Sequence, residues 1–282
     1  MPKPVVITAD STIDLSPELL KRYHVSLIPL HIVLGDRSLR DGVDITPDDI
    51  YATYRSEKIL PKTAAINPEA YKSFFSQYTA NGASVVHFSL SSGISATHQN
   101  ACLAAEELED VYVVDTKSLS TGSSLLVIKA AELAAQGYEA HQIFDLVSPM
   151  WEKVDASFIL DKLEFLHKGG RCSGVAALGA NLLKLKPCIE LKDGTMSVGK
   201  KYRGSLLNVQ MEYVAAKLQG KDNLDPARIF ITHSGIDSSI IEAVERKIRE
   251  LYSFREILIT RAGCTISSHC GPNTLGILFM YQ

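Results

Sequence analysis

Long apolar runs, charge of one sign, patterned cysteine and the common phosphate-binding loops are all missing from this sequence, and each absence removes a class of function. The five cysteines (Cys102, Cys172, Cys188, Cys264 and Cys270) are odd in number, scattered, and form no C-x-x-C pair. That argues against a disulfide framework or a structural zinc and for a reducing compartment. With 29 Lys and Arg against 32 Asp and Glu, the net charge is -3, so there is no clustered basic excess of the kind a nucleic-acid footprint needs. No apolar stretch approaches the roughly 20 residues of a membrane-spanning helix. The opening Met1-Pro2-Lys3-Pro4 runs straight into an apolar strand rather than a signal-peptide pattern, so a cytoplasmic protein is expected. No G-x-x-x-x-G-K-[ST] occurs and no G-x-G-x-x-G follows the first strand; Gly199-Lys200-Lys201 and Gly220-Lys221-Asp222 lack the required spacing. A self-contained ATPase or dehydrogenase is thereby excluded, and neither a cofactor nor a metal is expected.

What is present is an ordinary globular composition, 46% hydrophobic and 22% charged over 282 residues, long enough for one large or two medium domains. The most informative stretch runs from 84 to 99. Ser84-Val85-Val86-His87-Phe88 reads as a buried strand. Ala101, Leu103, Ala104, Ala105 and Leu108 follow at helical spacing. Between them lies Ser89-Leu90-Ser91-Ser92-Gly93-Ile94-Ser95. A serine-rich turn feeding a helix offers hydroxyls and free N–H groups to an anion such as a carboxylate or phosphate. Ser95 acting only as a helix cap explains the same residues equally well.

In chain order, Val5-Val6-Ile7-Thr8-Ala9 reads as a central parallel strand. Residues 25–34 read as a second strand, at an edge or bulged because of Pro29. Ser16-Pro17, Thr46-Pro47 and Asn67-Pro68 each pair a polar cap with proline and open a helix. Residues 111–115 give a further strand, and 122–136 and 140–152 give helices. This alternation predicts a doubly wound, mostly parallel α/β sheet. Ligands then bind beyond the carboxyl ends of the strands, where Asp10, Ser11, residues 91–95 and residues 115–118 should converge. From 154 onward the pattern changes to α+β. Lys192-Asp193-Gly194-Thr195 marks a hairpin, helices are expected over 206–218 and 238–251, and strands over 228–232, 256–260 and 274–280. A mixed sheet with helices to one side fits. Two domains, 1–153 and 154–282, with a ligand cleft between them, are expected.

Two further residues stand out. His269, in Ser267-Ser268-His269-Cys270-Gly271-Pro272-Asn273, is expected in a loop between strands, where function concentrates; an idle solvent-facing histidine is the plainer reading. Arg171 follows Gly169-Gly170, glycines that let the backbone approach something closely. Gly93-Ile94-Ser95-Ala96-Thr97 is close to the nucleophile elbow of α/β-hydrolases, with His269 late enough to serve as base, but Thr97 stands where that elbow takes glycine. A serine hydrolase acting on acyl substrates is therefore the alternative function, and a binder of some other small carboxylate or phosphate a third.

Taken together, Asp10-Ser11-x-x-Asp14-Leu15, Ser91-Ser92-Gly93-Ile94-Ser95, Val114-Asp115-Thr116-Lys117-Ser118, Gly169-Gly170-Arg171-x-Ser173-Gly174, Lys186-Pro187 and His269-x-Gly271-Pro272-x-Thr274-Leu275-Gly276 resemble the DegV family in order and over nearly the whole chain. The resemblance implies a non-catalytic carrier that binds a long-chain fatty acid such as palmitate, stearate or oleate between two domains. It implies presentation of that acid to an ATP-dependent fatty acid kinase, in service of phospholipid metabolism, with transient contact with a membrane surface. Position by position it puts the carboxylate at Thr63, Ser95 and His269 and turns Arg171 toward the kinase. Where the family often reads Thr-Ser-Gln-Pro-Ser, this chain has Thr63-Ala64-Ala65-Ile66-Asn67, so two polar neighbours of the threonine are gone.

Overall fold

In the computed structural model, which describes residues 3–172, 174 and 185–282, the strand–helix alternation of the first half becomes a four-stranded parallel sheet. Its strands are β1 (Val5–Asp10), β2 (Val25–Ile28), β6 (Ser84–Ser89) and β7 (Val111–Asp115), in the order β2-β1-β6-β7. Every residue of β6 is buried, as a central parallel strand covered on both faces requires. Val86 and Phe88 pack toward one face with Leu126 and Ile128, while Val85 packs toward the other with Tyr71 and Phe75.

The three cap-proline devices work as their chemistry predicts. Ser16 Oγ accepts the Leu19 N–H at 3.3 Å, Thr46 Oγ1 that of Asp49 at 3.3 Å, and Asn67 Oδ1 that of Ala70 at 2.8 Å. Each ties down a donor that a helix terminus leaves unpaired. Pro17, Pro47 and Pro68 follow as the first residues of helices Pro17–Arg22, Pro47–Glu57 and Pro68–Thr79.

The second half forms a six-stranded mixed sheet from β8 (Val154–Ile159), β9 (Lys186–Lys192), β10 (Thr195–Tyr202), β11 (Leu224–His233), β12 (Glu256–Arg261) and β13 (Leu275–Tyr281), ordered β10-β9-β8-β13-β11-β12. Its pairings are antiparallel except β11 with β12. Helices Leu206–Leu218 and Ser238–Leu251 pack together on one face of it, around Tyr213, Val244 and Ile248. The other face meets helix Ser120–Ala135, which is buried along most of its length and shares a core with β1 and β6 on one side and with Ala156, Phe230 and Leu278 on the other. Its apolar residues from Leu125 to Leu133 suit such an interior position, and the small hydroxyl residues Ser120, Thr121, Ser123 and Ser124 of its first turns are buried with them. The architecture is thus α/β with a parallel sheet, a mixed sheet and a buried helix between them.

Three expectations need correction. Residues 25–34 are not one strand, at an edge or bulged: Pro29 and Leu30 break the run, so β2 takes the edge of the parallel sheet while β3 (His31–Leu34) leaves it. There β3 joins β4 (Arg37–Arg40) and β5 (Lys62–Ala64) in a three-stranded antiparallel sheet, order β4-β3-β5. The helix expected over 140–152 ends at Val147, and a 3-10 turn, Ser148–Lys153, with Pro149 near its start, leads into β8. His269 is not in a loop; it lies in the last turn of a seven-residue helix, Cys264–Cys270. Ser173, part of the glycine-arginine motif, lies outside the described residues.

Candidate functional site

The strand ends converge as topology demands. At the carboxyl end of β1, the Asp10 carboxylate accepts the Leu90 N–H at 2.8 Å. At the end of β7, Asp115 Oδ1 accepts the N–H groups of Ser92 and Lys117 at 3.2 and 3.0 Å, and Lys117 Nζ reaches both Asp115 and Ser92 Oγ at 2.8 Å. Two parallel-sheet aspartates therefore hold the serine turn from below. From the other sheet, the β9–β10 hairpin lies on it: Ser91 Oγ donates to the Gly194 carbonyl at 2.7 Å. Gly93 makes this close approach feasible, since a Cβ there would stand 2.5 Å from the Gly194 oxygen.

Ser95 does not cap the following helix in the expected manner. Helix Thr97–Ala105 has Ala96 at its cap position. Ser95 Oγ instead accepts the Thr97 N–H at 3.2 Å and lies 2.7 Å from Thr97 Oγ1, a serine turn closed two residues on.

The opposite wall is helix Cys264–Cys270, whose composition (Cys-Thr-Ile-Ser-Ser-His-Cys) has little helical preference of its own. Two buried carboxylates hold its start. Asp41 accepts the N–H groups of Cys264 and Thr265 at 2.8 and 3.1 Å and the Thr265 hydroxyl at 2.6 Å, and Ser11 Oγ donates to it at 3.0 Å. Asp14 accepts the Gly263 N–H at 2.8 Å and the Ser120 hydroxyl at 2.5 Å. Burial pushes the Asp14 carboxyl up to about 8, against those two hydrogen bonds and with Asp41 nearby adding to the rise.

Held this way, the helix aims His269 at β5. His269 Nε2 lies 2.8 Å from Thr63 Oγ1. Its Nδ1 is buried and has no hydrogen-bond partner among the described residues. Burial, with the Arg171 charge adding to it, pushes the imidazole down to about 4, so the ring is neutral at pH 7. Gly169 ends the helix Glu164–Gly169 directly against it, and Arg171 Nη1 donates to the Gly169 carbonyl at 2.8 Å. Of the two glycines before Arg171, Gly169 makes the close approach and the group approached is His269, whereas a Cβ on Gly170 would meet nothing within 4 Å.

All four residues singled out in the sequence, Thr63, Ser95, Arg171 and His269, line one cavity of about 170 Å³. The rest of its lining is chiefly apolar and includes Leu30, Leu90, Ile94, Leu119, Met196 and Ile266, with Ala64 and Ala65 beside Thr63. A smaller recess shares Leu119, Ile266 and Cys270 with it and continues past Phe158 and Leu278. Such an arrangement gives hydroxyl and imidazole groups to a polar head and a hydrocarbon wall to the remainder. Among the described residues the hydrogen-bond partners of Ser95 Oγ lie on Thr97, and His269 Nδ1 meets no acidic partner of the kind that orients a histidine base.

Asp41 and Gly194 carry no sequence signal tying them to this site: their marks are an aspartate in turn-rich surroundings and the Asp193-Gly194 hairpin, and their partners are distant in the chain. Asp14 stands in the Asp10-Ser11-x-x-Asp14-Leu15 motif, but that motif does not point to Gly263, its partner 249 residues away. Among the described residues no helix is long and apolar enough to cross a membrane, and no group of His, Cys, Asp and Glu is arranged to hold a metal ion.

Known proteins match this chain end to end. The profile of the family described as "Uncharacterised protein, DegV family" matches residues 4–282. A DegV domain-containing protein of Clostridium perfringens is 30% identical over 287 aligned residues, covering 99% of this chain and 98% of its own. Among solved structures, a DegV family protein from Thermus thermophilus, described for its fatty acid binding, superposes with a TM-score of 0.88 at 29% identity, covering 99% of this chain and 100% of its own. A Thermotoga maritima protein, whose structure is described as revealing a fatty acid binding function, gives 0.86 at 27%, again covering 99% of this chain and 100% of its own. The fold, the cavity and these matches agree, and this chain belongs to the DegV family.

Proposed function

We propose that this protein binds a long-chain fatty acid in the cavity between its sheets and presents the carboxylate to an ATP-dependent fatty acid kinase, which forms the acyl phosphate. The protein itself is non-catalytic and takes palmitate, stearate or oleate as ligand rather than a cofactor. The observation that carries this reading is the Thr63–His269 pair, 2.8 Å apart, at one end of a cavity whose other walls are mostly hydrocarbon. Thr63, Ser95 and His269 hold the carboxylate. The acyl chain runs along Leu119 and Ile266 toward the smaller recess.

Magnitudes assign the roles. Burial contributes about 0.8 kcal/mol per methylene, on the order of 10 kcal/mol for a palmitoyl-length chain before ordering costs. Three uncharged donors add a few kcal/mol at most. The tail therefore sets affinity and the head group sets position, which suits a carrier better than an enzyme. Ala64 and Ala65, in place of polar residues, leave Thr63 as the polar group of its segment and move the weight further toward the tail. Arg171, exposed at the cavity mouth, has the planar, weakly hydrated fork that pairs with carboxylates across an interface, and is the docking contact for the kinase. We place the domain division between 153 and 154. The protein works in the cytoplasm and meets the membrane surface only transiently, to exchange its ligand.

Native mass spectrometry of the protein as purified from cells tests this directly. A mass increment that mild organic extraction removes and identifies as a C16–C18 fatty acid is expected. An empty protein that also fails to take up added palmitate and oleate would remove the reading.

A further inference from the structure

The His269 ring has two nitrogens in different surroundings. Nε2 faces Thr63 Oγ1 at 2.8 Å, at the edge of the cavity. Nδ1 is sealed in and has no hydrogen-bond partner among the described residues. What seals it is Gly169: a Cβ built on that residue would lie 2.3 Å from Nδ1 and 3.1 Å from Cε1. In glycine that direction is occupied by a Cα hydrogen, which consequently points at Nδ1. A lone pair on Nδ1 accommodates that hydrogen as a weak C–H···N contact. An N–H on Nδ1 would set two hydrogens against each other and leave a buried donor unsatisfied. The Gly169 backbone is not free to retreat, because its carbonyl accepts Arg171 Nη1 at 2.8 Å and it closes the last turn of helix Glu164–Gly169.

We propose that Gly169, latched through its carbonyl by Arg171, is a positioning residue that fixes neutral His269 as the Nε2–H tautomer. Nε2–H then donates to Thr63 Oγ1, and the Thr63 hydroxyl, its acceptor position filled, directs its own hydrogen into the cavity. The outcome is a two-step donor relay, imidazole to hydroxyl to ligand, in which no group carries a charge. An acceptor-only head group matches a relay of donors; an ionised carboxylate is such a group, and this last step rests on the function proposed above. The opposite tautomer would reverse the relay: Thr63 would spend its hydrogen on Nε2 and present only lone pairs to the ligand, which would repel a carboxylate.

The tautomer can be read on the ligand-free protein by 15N NMR of histidine-labelled samples, in which the two ring nitrogens are told apart by their couplings to Hδ2 and Hε1. At neutral pH the expected pattern for His269 is a proton-bearing shift at Nε2 and an unprotonated shift at Nδ1. A proton-bearing Nδ1 overturns the proposal whatever the ligand proves to be. In Gly169→Ala the added methyl must displace the ring, so both shifts should move while the amide spectrum of the distant helix Ser238–Leu251 stays fixed; unmoved ring shifts in the folded variant overturn the role of Gly169. The ligand step is tested with palmitate 13C-labelled at the carboxyl carbon. Glutamine places an N–H near the Nε2 position and asparagine near that of Nδ1, so His269→Gln should keep the bound carboxyl shift and His269→Asn should lose it. The reverse order overturns the relay. Failure of the wild-type protein to take up palmitate would count against the proposed function while leaving the tautomer result standing.

Discussion

The two walls of the cavity are built by opposite strategies. The wall carrying Ser95 is a strand–turn–helix connection whose contacts are mostly local or between neighbouring strands of one sheet. Asp115 reaches Ser92 and Lys117 from a half-buried position, with a lysine for company. The wall carrying His269 is a short helix of poor intrinsic propensity, held by two buried aspartates from the other end of the chain. Cys264 is 223 residues from Asp41, and Gly263 is 249 from Asp14. A wall made by topology tolerates the loss of one contact because the sheet beneath it remains. A wall made by a few buried hydrogen bonds does not, because no water is available to replace them.

The largest expected effect follows from that contrast. Asp41→Ala removes the common acceptor of two backbone N–H groups and two hydroxyls, leaving buried donors unpaired. Each such donor costs about 1–3 kcal/mol, so the variant should lose about 3 kcal/mol or more by urea unfolding. Asp115→Ala, on the more open wall, should lose about 1 kcal/mol, since water can reach the groups it frees. Equal losses in the two variants would show that the walls are not held differently.

A second effect separates them by pH. Asp14 has a folded value near 8, raised chiefly by burial, against an unfolded one of about 3.9. Between roughly pH 4 and 8 the unfolded chain releases this proton and the folded one keeps it, so stability falls as pH rises through that window and levels off above it. The slope is on the order of 1 kcal/mol per pH unit. Asp14→Asn should abolish this part of the pH dependence, gaining on the wild type as pH goes from 5 to 8 in paired urea titrations. A variant that tracks the wild type across that range would mean that Asp14 is ionised in the folded state. The opposite wall gives no such signal through Asp115, which stays below the usual carboxylate range because its hydrogen bonds with Lys117 and Ser92 outweigh the opposing effect of burial.

How far the sequence could be read tracks the same division. Polar cap, proline and acid in sequence mark helix starts because all three act within one turn, so Ser16, Thr46 and Asn67 were readable in advance. Asp193-Gly194 marked the β9–β10 hairpin for the same reason. The parallel sheet followed from alternation, and with it the convergence of Asp10, Asp115 and the serine turn. Helix Cys264–Cys270 was unreadable because what makes it helical is Asp41, and no local pattern points from 41 to 264. Ser267, Ser268 and Asn273 instead suggested a loop around His269. Residues 25–34 misled because an unbroken apolar run hides which sheet each half joins; Pro29 marked the break but not the change of partner. Thr63 has no motif that its own residues explain. It entered through resemblance, and its 2.8 Å contact lies 206 residues away.

The smallest expected effect is the most discriminating for function. Ser95 Oγ is already engaged with the N–H and hydroxyl of Thr97, so Ser95→Ala removes at most one of several donors from the head group and leaves the hydrocarbon wall untouched. Palmitate affinity measured by calorimetry should fall less than tenfold, about 1 kcal/mol, and the melting temperature should hardly move. Thr63→Val, on the other wall, removes the hydroxyl that the imidazole meets and strands Nε2 as well, so its loss of affinity should exceed that of Ser95→Ala. A hundredfold loss in Ser95→Ala would mean that the serine turn, rather than the His269 helix, dominates head-group recognition. A fluorophosphonate probe adds the last distinction: with Ser95 Oγ bonded to Thr97 and His269 committed to Thr63, Ser95 should remain unlabelled, whereas rapid stoichiometric labelling would return the protein to the hydrolases.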